Sequence, residues 1–412
     1  MEFILKCRSC HARLTHSFID LGMSPLANSY LRREDLQQQE CFYPLHVFVC
    51  NECFLVQLPT LLAPDQLFSH YAYFSSYSAT WLEHAQTYVE HIMGRFRFDS
   101  GSQVIEIGSN DGYLLQYFKK KGVPVLGVEP AKNVARVAQA ANIPTIVKFF
   151  GIETATKLVA EGFRADLVIA NNVLAQAPAL DDFVKGMKTL LRPQGVITVE
   201  FPHLLKLMEE NQFDTIYHEH FFYFSFIAVQ KIFAENGLNI FDVDELPTHG
   251  GSLRLFLRHD NDDTKFVTEQ VEHLKHRELQ AGLNRIETYS SFAPRVHETK
   301  RELLKFLIEV KKAGKSVVGY GAPAKGNTLL NYCGIRSDFI DYTVDRSPHK
   351  QNQYLPGTYI PIYHPDKIRE TKPDYLLILP WNLKDEIMAQ MQHIREWGGK
   401  FAVPIPKVEV YS

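Results

Sequence analysis

The sequence predicts an α/β protein with two Rossmann-like, doubly wound sheets and a small cysteine-rich domain in front of them. Strand and helix signals alternate from about residue 68 to residue 258, and the alternation returns after residue 316. Four of the six cysteines form two Cys-x-x-Cys pairs within the first 53 residues. Alternating strands and helices are typical of parallel sheets, and paired cysteines of metal sites. We therefore expect three domains, at residues 1–67, 68–258 and 259–412.

The composition favours an ordinary globular protein. The chain has 412 residues, of which 45% are hydrophobic and 22% charged, and its net charge is -3. This balance argues against a nucleic-acid-binding protein, which usually shows a basic face, although it leaves room for a local patch. No apolar run reaches the ~18 residues of a membrane span, and the N-terminus does not resemble a secretory signal. We expect a cytoplasmic monomer or weak dimer that binds neither nucleic acid nor membrane.

The N-terminal cysteines predict a structural zinc site. Cys7 and Cys10 form one pair, and Cys50 and Cys53 form the other. Four thiolates at tetrahedral corners suit zinc and close its coordination sphere. The 39 residues between the pairs exceed the ~15–20 of short zinc ribbons, so they must form an ordered excursion. A redox pair is the alternative, although one pair would suffice for it.

The remaining two cysteines, Cys41 and Cys333, are predicted to be small core residues.

The middle segment has the strand pattern of a class I methyltransferase sheet, in which five strand–helix units precede a terminal hairpin. A charged, helix-compatible stretch at residues 263–313 follows, with Gly282 and Pro294 as interruptions. Further strands at 316–320, 342–345 and 375–380 indicate the second sheet. The predicted strands of the first sheet are residues 104–107, 125–129, 145–147, 166–170, 196–200, 240–243 and 252–257.

A glycine loop after the first of these strands predicts an adenosine-type ligand. Gly108 and Gly112 allow backbone N–H groups to approach a ligand closely, and Glu129 ends the next strand at the spacing of a ribose-binding acid. The loop alone would also suit NAD or FAD, but it lacks the G-x-G-x-x-G fingerprint that seats a pyrophosphate. S-adenosylmethionine (SAM) has no phosphate, and Glu106 or Asp111 would suit its cationic end.

Two asparagines follow the fourth strand, where methyltransferase sheets contact adenine or methionine. Asn171 and Asn172 are therefore candidate SAM contacts, and the alternative is a strand end capped by amides. The complete set of predicted SAM contacts is Glu106, Gly108, Asn110, Asp111, Gly112, Glu129, Asn171 and Asn172.

The stretch from Tyr217 to His220 is the candidate catalytic cluster. In an extended conformation Tyr217 and Glu219 would share one face, with His218 and His220 on the other. Histidine suits proton removal near neutral pH, a carboxylate can orient an imidazole, and a tyrosine can hold an oxyanion. The alternatives are a metal site, for which no third ligand is visible nearby, or a polar patch under the aromatic run 221–224.

An aromatic and hydroxyl-rich stretch at residues 71–77 precedes the middle domain, and Tyr77 is its candidate site residue. Its rings could face a sulfonium through cation–π contacts or simply pack at a domain junction.

The C-terminal sheet opens on a second glycine turn. Gly321, Lys325 and Asn327 resemble a phosphate-binding turn, in which Lys325 supplies the charge for a diphosphate. Asp345 ends the next strand, near ribose distance. The alternative is a sheet that only packs.

Together these blocks resemble the SAM-dependent sugar C-3′-methyltransferases that act on nucleotide-linked 4-keto-6-deoxy sugars, and the resemblance covers nearly the whole chain. It implies a zinc-binding domain, a SAM domain and a C-terminal domain that helps to hold the nucleotide. The blocks are the cysteine pairs, residues 25–28, 75–78, 106–112, 171–175, 217–220, 249–252 and 319–327.

The resemblance also implies residue roles. His220 is expected to be the base that removes the sugar C3 proton, with Tyr217 and Glu219 beside it. Where members of this family carry a histidine, the chain has Gln176, which can hydrogen-bond an oxygen but cannot titrate. Three other functions compete: an RNA methyltransferase with a zinc site, a non-catalytic zinc-domain interaction protein, and an NAD-dependent oxidoreductase.

Overall fold

The computed structural model describes residues 5–60, 62–63, 66–67 and 74–412, and its strands form three sheets. In chain order the strands are β1 (His16–Ser24), β2 (Tyr43–Val49), β3 (Val56–Gln57), β4 (Val104–Ile107), β5 (Val125–Val128), β6 (Thr145–Ile146), β7 (Ala165–Asn171), β8 (Leu191–Pro202), β9 (Phe222–Tyr223), β10 (Leu238–Leu246), β11 (Ser252–His259), β12 (Val317–Tyr320), β13 (Thr343–Val344), β14 (Ile362–Tyr363), β15 (Tyr375–Ile378), β16 (Lys400–Val403) and β17 (Glu409–Tyr411).

Helices cover both faces of the two larger sheets. They are α1 (Ala79–Phe96), α2 (Leu115–Lys120), α3 (Lys132–Ala140), α4 (Ile152–Ala160), α5 (Leu180–Leu190), α6 (Leu204–Glu209), α7 (Phe226–Glu235), α8 (Glu269–Gln280), α9 (Ile286–Ser290), α10 (Phe292–Lys312), α11 (Ala324–Cys333), α12 (Lys367–Thr371) and α13 (Lys384–Gln390). Within the described ranges, no helix is both long and apolar enough to cross a membrane.

The seven-stranded sheet has the order β6-β5-β4-β7-β8-β11-β10. The first five strands are parallel, and β11 runs antiparallel to both of its neighbours. This is the class I methyltransferase topology, so the predicted fold class is confirmed. The strand order reverses between β4 and β7, and ligands of open α/β sheets bind at the carboxyl ends of the strands at such a point.

Buried side chains cover both faces of this sheet, because successive residues of a strand point to opposite faces. Ile105 and Val168 belong to the core that also contains the cysteine pairs. Val104 and Leu167, one residue earlier in each strand, belong to the core under helix α1. The near-continuous apolar strands of the sequence thus reflect burial on both faces.

The C-terminal sheet is a second doubly wound sheet with the order β14-β13-β12-β15-β16-β17. All its pairs are parallel except β16 with β17. The strands β14, β16 and β17 were not recognised in the sequence. They are short. They also lie at an edge of the sheet (β14 and β17) or next to one (β16), whereas the apolar signal in the sequence comes from the central strands.

The N-terminal sheet contains one strand from far along the chain. Strands β1, β2 and β3 pair in sequence, and β9 then pairs with β3 through Val56 opposite Tyr223. The excursion between the cysteine pairs is therefore an ordered hairpin, as predicted. Because β9 lies in the range assigned to the middle domain, the two predicted domains share a sheet, and the predicted boundary at residue 67 adjoins residues outside the described part.

Two local predictions were wrong. Pro294 does not interrupt a helix, because it lies in the first turn of α10, where a missing N–H has no intrahelical partner to lose. Cys41 is exposed rather than buried, while Cys333 is buried as predicted.

A buried glutamate joins helix α8 to helix α7 and α6. Glu278 accepts hydrogen bonds from the backbone N–H groups of Phe226 (2.7 Å) and Ile227 (2.9 Å), which begin α7. His203, just before α6, lies 2.6 Å from the same carboxylate and is itself buried. One buried carboxylate therefore accepts hydrogen bonds from the N-terminus of α7 and contacts a buried imidazole.

We predict that Glu278→Ala lowers the free energy of unfolding by roughly 2–4 kcal/mol, because it leaves two backbone donors and a buried imidazole unpaired. Urea denaturation followed by circular dichroism measures this change. The matched control is Glu272→Ala, on the exposed face of the same helix. Equal midpoints for the two variants would contradict the assignment.

Candidate active site

A cavity of about 590 Å³ opens at the carboxyl ends of β4 and β7, between the seven-stranded sheet and the C-terminal sheet. Its lining joins residues that are distant in sequence, because both sheets present their strand ends to the same space. On one side lie Gly108, Glu129 and Asn171, and on the other His220 and Lys325.

The glycine loop lies under the cavity in a conformation that few other residues adopt. Gly108 and Gly112 have φ values of +68° and +81°. A Cβ on Gly112 would lie 2.5 Å from Ile143 Cδ1, and one on Gly108 would lie 3.0 Å from Val173 Cγ2. Glycine is therefore required at both positions, because the backbone is left-handed there and because neighbouring side chains leave no room for a Cβ atom.

The acid of β5 is anchored to the loop. Glu129 accepts hydrogen bonds from the N–H groups of Asn110 (2.9 Å) and Ala131 (2.8 Å), and it lines the cavity. Burial raises the pKa of its carboxyl, and these two donors oppose that effect. The carboxylate is thus held by backbone groups at the place where the ribose of an adenosine is expected.

The other two predicted acids lie around the loop rather than in the cavity lining. Glu106 is on the face of β4 opposite Ile107, and burial, with Glu129 and Asp111 nearby, raises its pKa well above its usual range. Asp111 accepts the N–H of Ser76 at 3.0 Å. Asn110 accepts the N–H of Ser75 at 2.9 Å, so both residues fasten the segment before α1 to the glycine loop.

The two asparagines after β7 have unsatisfied polar atoms. Asn171 Oδ1 and both side-chain polar atoms of Asn172 are buried with no hydrogen-bond partner among the described residues, and both side chains line the cavity. Buried amides are ordinarily paired, so this arrangement fits a polar ligand that would complete it. SAM suits the site, because its amino acid and adenosine groups supply such partners.

The segment from Tyr217 to His220 is a turn rather than a strand, so the predicted alternation of its faces was wrong. The N–H of His220 donates to the carbonyl of Tyr217 at 2.9 Å, which closes the turn. The two rings therefore lie together, with centroids 4.0 Å apart, and both line the cavity. His218 and Glu219, in the middle of the turn, are buried outside the cavity lining.

His220 is oriented by its own backbone surroundings. Its Nδ1 lies 3.1 Å from the carbonyl oxygen of Thr215, so Nδ1 carries the proton and donates it to that oxygen. The neutral ring then has its lone pair on Nε2. Burial lowers the pKa of His220 to about 3, and the neighbouring His249 and Lys325 act in the same direction. The imidazole is therefore neutral at ordinary pH.

Glu219 acts on the cavity indirectly. Its Oε1 accepts a hydrogen bond from Asn28 Nδ2 at 3.0 Å, and Asn28 lines the cavity. Burial raises the pKa of Glu219. Gln176 lines the cavity directly, from the 3-10 turn Leu174–Gln176. Glu219 is thus better placed to orient Asn28 than to contact a ligand.

Tyr77 lies outside the cavity. It is 61% exposed, and its hydroxyl is 3.1 Å from His349 Nε2. Residues 71–73 of the same aromatic stretch lie outside the described residues. Ser75, in the same 3-10 turn as Tyr77, lines the cavity instead.

Of the four residues predicted to bind the nucleotide, only one lines the cavity. Lys325 lines the cavity, whereas Gly321, Asn327 and Asp345 do not. Asn327 is buried and donates to the carbonyl of Ala27 at 2.6 Å, and Asp345 accepts the N–H of Ala322 at 2.8 Å. A Cβ on Gly321 would lie 2.6 Å from Pro380 Cδ, so internal packing already requires this glycine. Nucleotide contact by these three residues stays a prediction.

Trp81, His249 and Asn382 are among the cavity residues that were not predicted from the sequence as site residues. Trp81 lies 5.2 Å from His249 between ring centroids, and both line the cavity together with Asn382. His249 has a left-handed backbone conformation, with φ of 56°. Its position before two glycines was a usable signal, because strained turns favour functional sites. Asn382 follows the carboxyl end of β15, where ligands bind in such sheets. Nothing in the sequence distinguished Trp81 from a core residue.

The four predicted zinc ligands come together. The sulfur atoms of Cys7, Cys10, Cys50 and Cys53 all lie within 4.8 Å of one another. Gln57 Nε2 lies 3.2 Å from the sulfur of Cys7, as a donor to a thiolate would. Four sulfurs at this spacing fit a tetrahedral zinc ion, which these thiolates would hold as a closed structural site.

The zinc site is connected to the turn that carries His220. Arg8, between the first two cysteines, donates from Nη2 to the carbonyl of Phe221 at 3.2 Å. Its guanidinium also lies 4.3 Å from the ring centroid of Phe222. The cysteine-rich domain therefore contacts the chain directly after the candidate base.

Three family models match the chain in the order of the three sheets. Residues 7–68 match "Putative zinc binding domain", residues 81–243 match "Methyltransferase domain", and residues 247–406 match "C-methyltransferase C-terminal domain". C-methyltransferase NovU of Streptomyces niveus is 36% identical over 407 residues, which cover 99% of this chain and 97% of that relative. The match thus extends over all three sheets.

Partial likenesses concern smaller parts of the chain. A ubiquinone biosynthesis O-methyltransferase of Methylobacterium sp. (strain 4-46) is 32% identical over 101 residues, 24% of this chain and 39% of that enzyme. The structure of magnesium protoporphyrin IX methyltransferase from Synechocystis PCC 6803 with bound SAM has a TM-score of 0.33 and 16% identity, and covers 43% of this chain and 79% of that one.

We predict that Glu129→Gln raises the dissociation constant of S-adenosylhomocysteine about 10- to 100-fold, because it removes a charged acceptor for the ribose hydroxyls. Isothermal titration calorimetry measures this change. The control is Glu153→Gln, an exposed acid in the first turn of α4. An unchanged constant for the Glu129 variant would exclude ribose binding by this residue.

We also predict that Cys10→Ser loses bound zinc and lowers the melting temperature, because serine does not replace a thiolate in a tetrahedral site. Metal analysis and thermal denaturation measure the two effects. Cys41→Ser is the matched control, since Cys41 is exposed and outside the cluster. Full zinc content in the Cys10 variant would show that the cluster does not hold the metal.

Proposed function

The chain belongs to the family of SAM-dependent C-methyltransferases with an N-terminal zinc-binding domain, and from this premise we propose that it methylates C3 of a nucleotide-linked 4-keto-6-deoxy sugar. The observation that carries the proposal is the placement of His220. A neutral imidazole with its lone pair on Nε2 lines the same cavity as Glu129 and Asn171. A base and a methyl-donor site thus share one cavity.

The proposed reaction needs a carbon nucleophile, which a ketone next to C3 makes accessible. His220 Nε2 removes the C3 proton, and the electrons of the C–H bond move onto the C4 oxygen to give an enolate. SAM supplies the electrophilic methyl group when it is bound at the glycine loop. The enolate carbon forms the new C–C bond as the sulfur–methyl bond breaks, the C4 ketone returns, and S-adenosylhomocysteine leaves. His220 then gives its proton to solvent.

The low pKa of His220 keeps its ring neutral but also makes the ring a weak base. A base must be unprotonated before substrate binds, and burial together with two cationic or imidazole neighbours secures that state. The same burial makes the protonated ring costly, so a nearby anion is needed when it forms. The enolate is such an anion, and it exists only while the proton is on His220.

Two further side chains fit the sugar. Tyr217 lies against the His220 ring and lines the cavity, where its hydroxyl could donate to a sugar oxygen. Gln176 lines the cavity from the 3-10 turn after β7, on the cofactor side, and its amide can bind a keto or hydroxyl oxygen without titrating. In this proposal proton removal therefore depends on His220 rather than on Gln176.

In the same proposal the nucleotide lies toward the C-terminal domain. The cavity reaches the carboxyl end of β15 at Pro380 and Asn382 and the start of α11 at Ala324, so it extends from the cofactor loop to the second sheet. This extent suits a substrate larger than a free sugar. The nucleotide can be identified by measuring the binding of TDP-, UDP-, GDP- and CDP-linked sugars in the presence of S-adenosylhomocysteine.

We predict that the protein adds one methyl group to C3 of a nucleotide-linked 4-keto-6-deoxy sugar, and that His220→Asn lowers turnover about 10²- to 10⁴-fold. Asparagine keeps a donor for the carbonyl of Thr215 but offers no basic nitrogen. Mass spectrometry with SAM labelled at the methyl group measures turnover, and nuclear magnetic resonance locates the new carbon.

The control for this experiment is His349→Asn, an imidazole beside the exposed Tyr77. Its turnover should match that of the unaltered protein. Near-normal turnover in the His220 variant would rule out His220 as the base. Methyl transfer to an oxygen, or to none of the sugars, would overturn the proposed substrate.

A further inference from the structure

We infer that Lys325 is a catalytic residue whose ammonium group stabilises the enolate oxygen, and that Asp214 is its positioning residue. The inference rests on the proposed function and deepens it. It also differs from the sequence-based prediction that Lys325 binds a diphosphate. The geometry of one short segment, residues 212–216, points to it.

Lys325 is held inside the cavity rather than free to follow a phosphate. Its Nζ donates to Asn382 Oδ1 at 2.8 Å and lies 4.5 Å from the ring centroid of Trp381. Both partners follow the carboxyl end of β15, and Lys325 belongs to the first turn of α11. An amide oxygen and an aromatic face attract an ammonium without neutralising it, so the group keeps its positive charge for a ligand.

Asp214 is hydrogen-bonded to the indole whose ring faces this ammonium. The carboxyl is fully buried, and its Oδ2 accepts a hydrogen bond from Trp381 Nε1 at 2.7 Å. Its Oδ1 has no hydrogen-bond donor among the described residues. Burial raises the pKa of Asp214 to about 6, and the charge of Lys325 opposes that rise. Burial lowers the pKa of Lys325, and the charge of Asp214 opposes this effect.

The segment that carries Asp214 also contacts the His220 imidazole and the turn that carries His249. The carbonyl of Thr215 accepts from His220 Nδ1, as described above. Gln212 Nε2 donates to the carbonyl of Gly250, next to His249, at 2.7 Å. Helix α11 is tied to the same segment, because Thr328 Oγ1 donates to the carbonyl of Ile216 at 2.9 Å. Base and ammonium are therefore positioned by neighbouring residues of one chain segment.

The charges around the cavity single out Lys325. Burial lowers the pKa of His249 to about 4, so this imidazole is neutral. Lys350, which also lines the cavity, donates to the carbonyl of Ala322 and has Asp345 at 3.9 Å, so its charge is partly compensated. Lys148 is exposed on the cofactor side. Lys325 is thus the cation that shares a wall with His220.

The chemistry requires a cation at this place. As His220 takes the C3 proton, one negative charge develops on the C4 oxygen, and a fixed ammonium in a desolvated cavity stabilises it. No proton passes to or from Lys325 in this step. When the new C–C bond forms, the oxygen becomes a neutral ketone again and the ammonium is unchanged.

The test separates enolate formation from binding. The full-length protein is incubated in deuterated water with S-adenosylhomocysteine and a nucleotide sugar that the unaltered protein methylates, and deuterium uptake at C3 is followed by nuclear magnetic resonance. Titration calorimetry gives the dissociation constant of the same nucleotide sugar. Lys325→Met is compared with Lys300→Met, a lysine that also lies 4.5 Å from an aromatic centroid but does not line the cavity.

We expect Lys325→Met to lower both deuterium uptake and methyl transfer about 10²- to 10³-fold, while the dissociation constant changes by less than about threefold. Lys300→Met should behave like the unaltered protein. Retained deuterium uptake with a dissociation constant raised about tenfold or more would overturn the inference and return Lys325 to the diphosphate. If the unaltered protein neither exchanges nor methylates any such sugar, the proposed function itself is overturned.

Asp214→Asn tests the positioning role, because asparagine keeps an acceptor for Trp381 but removes the charge. The pKa of Lys325 should fall, so the alkaline limb of the turnover profile should move to lower pH, and Asp214→Glu should restore it in part. The other titratable groups that line the cavity are Tyr113, Glu129, Lys148, Tyr217, His220, His249 and Lys350. An alkaline limb at the same pH in both proteins would show a merely structural role for Asp214.

Discussion

The structure depends most on the hydrogen bond between His220 Nδ1 and the carbonyl of Thr215, because it fixes a side chain to a backbone segment that three parts of the chain share. That segment is buried, and its polar groups are paired with β10–β11, α11 and the loop after β15. Buried polar groups need such partners, since unpaired groups are costly away from water. The need to pair the backbone and side-chain polar groups of a single segment thereby places groups from distant regions around one cavity.

The cysteine-rich domain is a structural support for the same region. The chain reverses at the turn 217–220 and immediately becomes β9, which completes the N-terminal sheet by pairing with β3. Arg8 reaches from the zinc cluster to the backbone of Phe221. A zinc site closed by four thiolates has no open position for chemistry, so its contribution is to hold this sheet and the turn next to it.

Desolvation gives the cavity its electrostatic character. Burial pushes the pKa of His220 and His249 down and those of Glu129 and Asp214 up, so each of these groups is moved toward its neutral form. Backbone donors and one lysine oppose this effect at the two acids. A site of this kind favours a reaction in which charge at the reacting atoms appears only transiently, as it does in the enolate that we propose.

The sequence by itself determined the class I methyltransferase sheet, the zinc cluster and the glycine loop, because each depends on local spacing: the period of apolar residues, two Cys-x-x-Cys pairs and glycines after a strand. It also brought His220, Tyr217 and Lys325 forward as candidates. Only the tertiary structure decided that residues 217–220 form a turn, that Tyr77 is exposed and that Asn327 is buried against Ala27. It alone placed Trp81 and His249 in the cavity lining and Asp214 against Trp381. Their positions follow from packing between segments more than a hundred residues apart, and no local pattern carries that information.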